Sequence, residues 1–210
     1  EKTISLASLS GSSDVESLSD TGLLTQAGYL TIKAVEYGNT VFLDYPNLEV
    51  KRAMAQLYTE LLLRGKVAGQ VGAGDIVRVL NNDDPEEVFH IFNRLFTAID
   101  YQNYPVVDEA SVRAFIQVYL AGAGLDPKVE RHNAHGRSDL EVKVGARLWV
   151  FELKTAYEGK SADAALQEAV GQLTSRRYGE QDAAEKLERV AFVFSLSGRR
   201  FVRWAAVPET

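Results

Sequence analysis

The sequence predicts an α/β protein whose second half is built on a mixed sheet, and three observations predict it. After Gly122 and Gly124 the hydrophobic period changes from that of a helix to that of strands. From Glu109 onward the order reads helix, three strands, helix, two strands. The strand expected over 147–154 carries apolar side chains on both faces, as a strand inside a sheet must. A smaller helical region precedes this part, giving expected boundaries at 1–70, a helical connector over 71–106, and the sheet-bearing domain over 107–210.

Residues 1–20 are rich in Ser, Leu and acid without a clear period, and read as a loop with at most a short strand. Tyr29 to Tyr37 and Val41 to Tyr45 are β-rich, and Gly38-Asn39 supplies the turn of a hairpin. Asn47 is placed to cap a helix running to about Arg64, with Val50, Met54, Leu57 and Leu61 on one face. Helix, hairpin and helix together resemble a small winged-helix-like module. The glycines at 65, 69, 72 and 74 punctuate the chain as a linker or helix cap. They do not make a phosphate loop, because Gly65-Lys66 is followed by Val67 and Glu60 stands where the first glycine is required.

Asp84-Pro85 starts a helix in which Val88, Ile91, Phe92, Leu95 and Ile99 recur at helical spacing. His90 in that helix reads as a surface or packing residue, since no second ligand lies at helical spacing beside it. A helix from about Asp108 to Ala121 buries Val112, Phe115, Ile116 and Tyr119, and Glu109 continues the same stripe. Strands are expected over 128–132, 137–144, 147–154, 188–196 and 199–206, with a helix from about Ser161 to Tyr178 between the third and fourth. In that helix Gln172 continues the packing stripe of Ala165 and Ala169, which points an amide toward the sheet.

Composition excludes several classes of function. With 46% hydrophobic residues and a net charge of −6 the chain can bury a core and is not a disordered acidic tail. No apolar run reaches the ~18–20 residues of a membrane span, and no basic segment precedes an apolar one near the start, so a cytoplasmic location and no membrane partner are expected. The absence of cysteine removes disulfides, thiol catalysis and cysteine-ligated zinc together. Charge is uneven: residues 1–126 hold 9 basic and 17 acidic side chains, residues 127–210 hold 14 and 12, so a polyanion is expected to prefer the second half. The chain starts at Glu1 and its one methionine is Met54, which reads as a fragment or processed chain.

In the strand over 137–144, Leu140, Val142 and Val144 alternate with Asp139, Glu141 and Lys143, the pattern of a half-buried strand. In the next strand Glu152 and Lys154 extend the face of Leu148 and Val150. A charged pair at the end of a central strand is costly to desolvate unless it is paired or binds a cation. Asp139, with Glu152 and Lys154 following across a hairpin and Gly136-Arg137-Ser138 preceding, resembles the catalytic signature of the PD-(D/E)xK nuclease superfamily. Two carboxylates on adjacent strands make a hard oxygen site for Mg²⁺ or Mn²⁺, to which the Leu153 carbonyl can add a backbone ligand. Lys154 is placed to orient or help deprotonate the attacking water and to neutralise charge at phosphorus.

The resemblance implies a restriction-endonuclease-like core over 107–210. It also implies catalytic or metal-binding roles for Gln172 on the later helix and Glu109 on the earlier one. The runs Gly28-Tyr29-Leu30-Thr31-Ile32, Pro46-Asn47-Leu48-Glu49-Val50, His135-Gly136-Arg137-Ser138-Asp139-Leu140, Phe151-Glu152-Leu153-Lys154 and Gln172 with Tyr178 narrow it. They resemble a bacterial family that joins an AAA-like ATPase to a C-terminal nuclease domain of this superfamily. The departure is Ser138, where the superfamily name has proline, and proline is not a ligand. His135 flanks the site together with His132; it reads as a surface histidine or as a substrate contact, ahead of a metal ligand. Arg176, Arg177, Arg199, Arg200 and Arg203 are candidates for phosphate contacts, and Arg137 and Tyr178 join the candidate nucleic-acid-binding set.

The function expected is a Mg²⁺- or Mn²⁺-dependent nuclease acting on nucleic acid, DNA first, with an AAA-like ATPase region of the same parent chain as partner. The alternative is a nucleic-acid-binding or regulatory module that keeps the fold but cleaves weakly. A purely structural reading places Asp139 in a salt bridge with Lys154.

Overall fold

A computed structural model of the chain describes residues 2–10, 18–63, 73–129, 132–133, 136–137, 139–175 and 186–208. The chain divides into two compact units, Glu1–Met54 and Ala55–Thr210.

In the first unit, β1 (Lys2–Ser5), α1 (Leu6–Ser10) and α2 (Asp20–Gln26) precede the hairpin of β2 (Thr31–Glu36) and β3 (Thr40–Asp44). The sheet runs β1-β3-β2 with both pairings antiparallel, so the short strand at the start of the chain covers one edge of the hairpin. The turn spans residues 37–39 and needs positive φ at both Tyr37 and Gly38, which a glycine supplies freely. Asn47 caps α3 (Leu48–Leu62) as expected, its side-chain oxygen accepting the Val50 N–H at 2.9 Å.

The face of α3 departs from the expected stripe. Leu57 and Leu61 are about half exposed at 49% and 48%, whereas Thr59, Leu62 and Leu63 are buried. Thr59 takes an inward position because backbone carbonyls satisfy its hydroxyl, which donates to Ala55 O at 2.8 Å and lies 3.3 Å from Val118 O. Hydrophobic spacing cannot see a threonine accommodated in this way.

The second unit takes in the end of α3, and its next described element, α4 (Ala73–Asn82), buries Ile76, Val79 and Leu80 and starts inside the glycine-rich stretch. α5 (Pro85–Ala98) is capped by Asp84, which accepts the Glu87 N–H at 2.9 Å; its expected stripe is buried and His90 is exposed. α6 (Glu109–Gly122) starts with a capping box between Asp108 and Ser111. The strands follow: β4 (Lys128–Val129), β5 (His132–Asn133), β6 (Gly136–Arg137), β7 (Leu140–Val144) and β8 (Arg147–Ala156). After α7 (Ala162–Ser175) come β9 (Lys186–Ser195) and β10 (Arg200–Val207).

The main sheet has the order β10-β9-β8-β7-β4, while β5 and β6 form a separate two-stranded ladder. β7 and β8 are antiparallel, and β8 and β9 pair in parallel from Arg147↔Lys186 to Ala156↔Ser195. This is the mixed sheet expected from the sequence, with β8 inside it. One face packs Trp149, Phe151, Leu153, Phe192 and Phe194 against α4, α5 and α6. The Trp149 indole donates to Leu80 O at 2.8 Å, tying α4 to the central strand. On the other face Leu148, Val150, Leu187 and Ala191 meet Ala169 and Leu173 of α7. The helices of the expected connector, α4 and α5, share one core with the sheet.

β7 differs from a half-buried strand: Glu141 is buried to 4% exposure as well as Leu140, Val142 and Val144. It lies between β4 and β8, opposite Lys128 and Val150, so the strand has neighbours on both edges. Among the described residues no helix is long and apolar enough to cross a membrane.

Candidate active site

β-Pairing fixes the centre of the site. Leu140 stands opposite Phe151, so Asp139, immediately before β7, reaches the end of β8 where Glu152 and Lys154 lie. The Asp139 Oδ2 accepts the backbone N–H of Leu153 at 2.9 Å, an unusual side-chain closure at the end of an antiparallel ladder. Period two puts Glu152 and Lys154 on the α7 face, beyond Leu148 and Val150. α6 adds Glu109 and, one turn later, Arg113.

The contacts alternate in sign. Arg113 Nη1 lies 3.2 Å from Asp139 Oδ1, Lys154 Nζ lies 3.0 Å from Glu152 Oε1, and Lys154 Nζ lies 3.5 Å from Glu109 Oε1. The structural reading of an Asp139–Lys154 salt bridge is therefore replaced: Asp139 takes Arg113 and a backbone amide, and Lys154 takes the two glutamates. Glu152 is 1% exposed, and its Oε2 has no hydrogen-bond partner among the described residues.

Burial pushes the Glu152 carboxyl up to about 7, with the Asp139 charge adding to the rise and Lys154 opposing it. Glu109 is also raised, chiefly by burial, against the pull of Lys154. For Lys154 burial works the other way and would lower its pKa, but Glu152, Glu109 and Asp139 together outweigh it and raise the result. Lys154 is thus an ammonium donor, which suits neutralising a phosphate oxygen or orienting a water better than removing a proton.

The donor set fits a hard divalent cation. Among the described residues no three His, Cys, Asp or Glu side chains are grouped as a ready metal cage. Mg²⁺, however, is commonly held by one or two carboxylates, with waters and substrate phosphates completing its shell. Asp139 and Glu152 would be the two carboxylates, and among the described residues the buried Glu152 Oε2 has no hydrogen-bond donor.

Other expected residues fall less centrally. Gln172 is half-buried, and its amide lies 3.5 Å from Glu168 Oε1, four residues earlier on α7. Glu168 itself accepts from Lys160 at 2.7 Å and is held below the usual carboxylate range, first by that bond and, more weakly, by the charge of Lys154. Arg203 pairs with Asp163 at 2.9 Å, and the Arg199 guanidinium lies 4.6 Å from the centre of the Tyr101 ring. His135, Arg176, Arg177 and Tyr178 lie outside the described residues, and Arg137 is described as backbone only. A surface hollow of about 460 Å³ between α5 and β10, lined by Phe89, Asn93, Arg200 and Arg203 among others, contains none of the carboxylates.

Arg113 is the participant that sequence reasoning missed. Its one signal is the four-residue offset from Glu109, which puts the two on one helix face.

A curated relative from Azotobacter chroococcum mcd 1, "Uncharacterized protein in vnfD 5'region", is 28% identical over 211 aligned residues that cover 96% of this chain. The chain spans 40% of that relative's length. No solved structure matches. A family model described as the PD-(D/E)XK nuclease superfamily matches residues 107–204, the stretch running from the cap of α6 through β10 and containing Glu109, Arg113, Asp139, Glu152 and Lys154. Residues 107–204 are a domain of the PD-(D/E)XK nuclease superfamily.

Proposed function

We propose that this chain hydrolyses phosphodiester bonds of DNA in a reaction that depends on Mg²⁺ or Mn²⁺. The observation that carries the proposal is the buried Glu152 beside Asp139, with one carboxylate oxygen left without a hydrogen-bond partner among the described residues, at a strand end that also presents Lys154. A carboxylate pair of this kind is expensive to fold and is repaid by binding a cation.

When bound, the cation would supply Lewis-acid polarisation of a phosphate oxygen and a more acidic water. Asp139 and Glu152 would hold it, with the Leu153 carbonyl as an additional ligand. Leu153 N–H fixes the orientation of Asp139. Lys154 offers positive charge to the scissile phosphate, and Glu109 and Glu152 keep that ammonium protonated and in place. Nucleic-acid contacts are proposed for Arg137, His135, Arg176, Arg177 and Tyr178, in the half of the chain that holds the larger share of basic residues. An AAA-like ATPase region is the partner proposed, consistent with a relative longer than this chain.

The test is cleavage of supercoiled, linear and single-stranded DNA, and of RNA, with Mg²⁺, Mn²⁺ or chelator. Cutting of DNA that needs metal and falls at least about a hundredfold in Lys154→Ala, the scale of losing one preorganised electrostatic donor, is the expected result. Cutting that survives chelator, or a Lys154→Ala protein as active as wild type, overturns it. A preference for RNA over every DNA form moves the substrate assignment.

A further inference from the structure

We infer that Arg113 competes with the divalent cation for Asp139, and thereby sets the cation affinity of the centre. The inference rests on the metal-dependent reaction proposed above. Arg113 Nη1 lies 3.2 Å from Asp139 Oδ1, and both side chains are largely withdrawn from solvent, at 14% and 11% exposure. Their charges are therefore weakly screened.

The two oxygens of Asp139 have different partners. Oδ2 is held by the backbone N–H of Leu153 at 2.9 Å, a neutral donor fixed in the β8 strand. Orientation of Asp139 is secured by that bond. What Arg113 adds is charge at Oδ1. At this separation and out of bulk water, the guanidinium and the carboxylate interact far more strongly than two exposed charges do. Any other cation drawn to the same carboxylate meets the same opposing charge.

The surrounding inventory gives the sign. Among the described residues, three carboxylates, Asp139, Glu152 and Glu109, face two fixed cations, Arg113 and Lys154. Lys154 is engaged by the two glutamates, so the guanidinium is the positive group that stands on Asp139 itself. Deleting it leaves the centre more negative and leaves Oδ1 of Asp139 open to an incoming ion. A residue serving only as scaffold would weaken metal binding when removed; a competitor strengthens it.

The experiment is a Mn²⁺ titration without nucleic acid, with free Mn²⁺ read by electron paramagnetic resonance at fixed ionic strength, alongside thermal melts in chelator and in saturating Mn²⁺. Arg113→Gln should bind Mn²⁺ about tenfold or more tightly than wild type, the scale of removing one weakly screened opposing charge. It should also melt lower in chelator and recover in saturating Mn²⁺. Arg113→Lys keeps the charge and should bind as wild type does. Arg78→Gln, which loses an exposed pair with Asp75 at 3.6 Å, should change neither readout. If wild type binds Mn²⁺ and Arg113→Gln binds it equally or more weakly, the competition is refuted while the metal-dependent reading stands. If wild type and Arg113→Gln both bind none at millimolar Mn²⁺, that reading fails and the competition with it. Should Arg113→Gln not fold, Arg113→Lys decides alone, because a tenfold tightening with the charge retained would refute a charge mechanism.

Discussion

Glu152 folds at the expense of its own ionisation. Its carboxyl sits at about 7 in the folded protein against an ordinary value of 4.5, so the folded state holds the proton more tightly than the unfolded one. Stability from this group is fully present below 4.5 and is lost as pH rises toward 7, the loss reaching about 3 kcal/mol above that, by the usual conversion of a pKa difference. In chelator, Glu152→Gln should therefore melt above wild type at pH 8, and the difference should vanish near pH 4. A wild-type protein whose melting temperature rises from pH 5 to pH 8 relative to Glu152→Gln would contradict this. Asp139→Asn should act in the opposite direction. The sequence leaves the sign open: like-charge repulsion with Glu152 predicts a more stable mutant, and a salt bridge with Lys154 a less stable one. With Arg113 on one oxygen and the Leu153 N–H on the other, the substitution removes an acceptor charge and should cost about 1–3 kcal/mol in a chelator melt. Asp139, Glu152 and Lys154 were legible from the strand pair together with the resemblance it carries, and Glu109 from that resemblance and its place on the helix stripe; Arg113 was not, because an arginine at that spacing also suits any solvated helix face.

At the scale of elements, the joint between α3 and α6 is set by a missing side chain. A Cβ on Gly122 would stand 2.7 Å from Thr59 Oγ1, and Thr59 is pinned by its bond to Ala55 O. Gly122→Ala should lower stability by about 1–3 kcal/mol, the usual range for overpacking a closed contact. Thr59→Ala in the same chain should recover part of that loss, so a double-mutant cycle by thermal or urea melts reads the clash directly. The same contact explains why the α3 stripe was misread: apolar spacing favoured Leu57 and Leu61, while small and hydrogen-bonded residues decide which side packs. The sequence marks 71–106 as helical without delimiting α4, for a related reason. Its glycines at the start resemble a linker, although Ile76, Val79 and Leu80 behind them are a buried helical triplet. By contrast the caps at Asn47, Asp84 and Asp108, and the strands β8 and β9, follow from local chemistry that tertiary packing reinforces.

For the whole molecule, cation binding should appear as stability. A ligand at about 100 times its Kd adds about 2.7 kcal/mol, which in a domain of this size moves the melting transition by several degrees. Mn²⁺ should produce such a shift in wild type, chelator should reverse it, and the absence of any shift at millimolar Mn²⁺ would count against the proposed centre. The chain contains no phosphate loop, so purified protein should hydrolyse no ATP; activity that copurifies with the chain through successive columns would contradict the motif reading.

The pairing pattern of the central sheet also prescribes an order of assembly. β7 and β8 meet antiparallel across the short turn at Gly145-Ala146, whereas β8 and β9 join in parallel only after residues 157–185 have crossed over. Closing the hairpin orders little chain, and closing the crossover orders much more. The nucleus of folding is therefore expected in β7 and β8, with β9 and β10 added on the downhill side of the barrier. Val142→Ala, in β7, should chiefly slow refolding, and Val193→Ala, in β9, should chiefly speed unfolding, as separate arms of a chevron would record. On this route Asp139 and Glu152 are brought together early, before β9 closes over the sheet, and Mn²⁺ present during refolding should accelerate the hairpin step by relieving their repulsion.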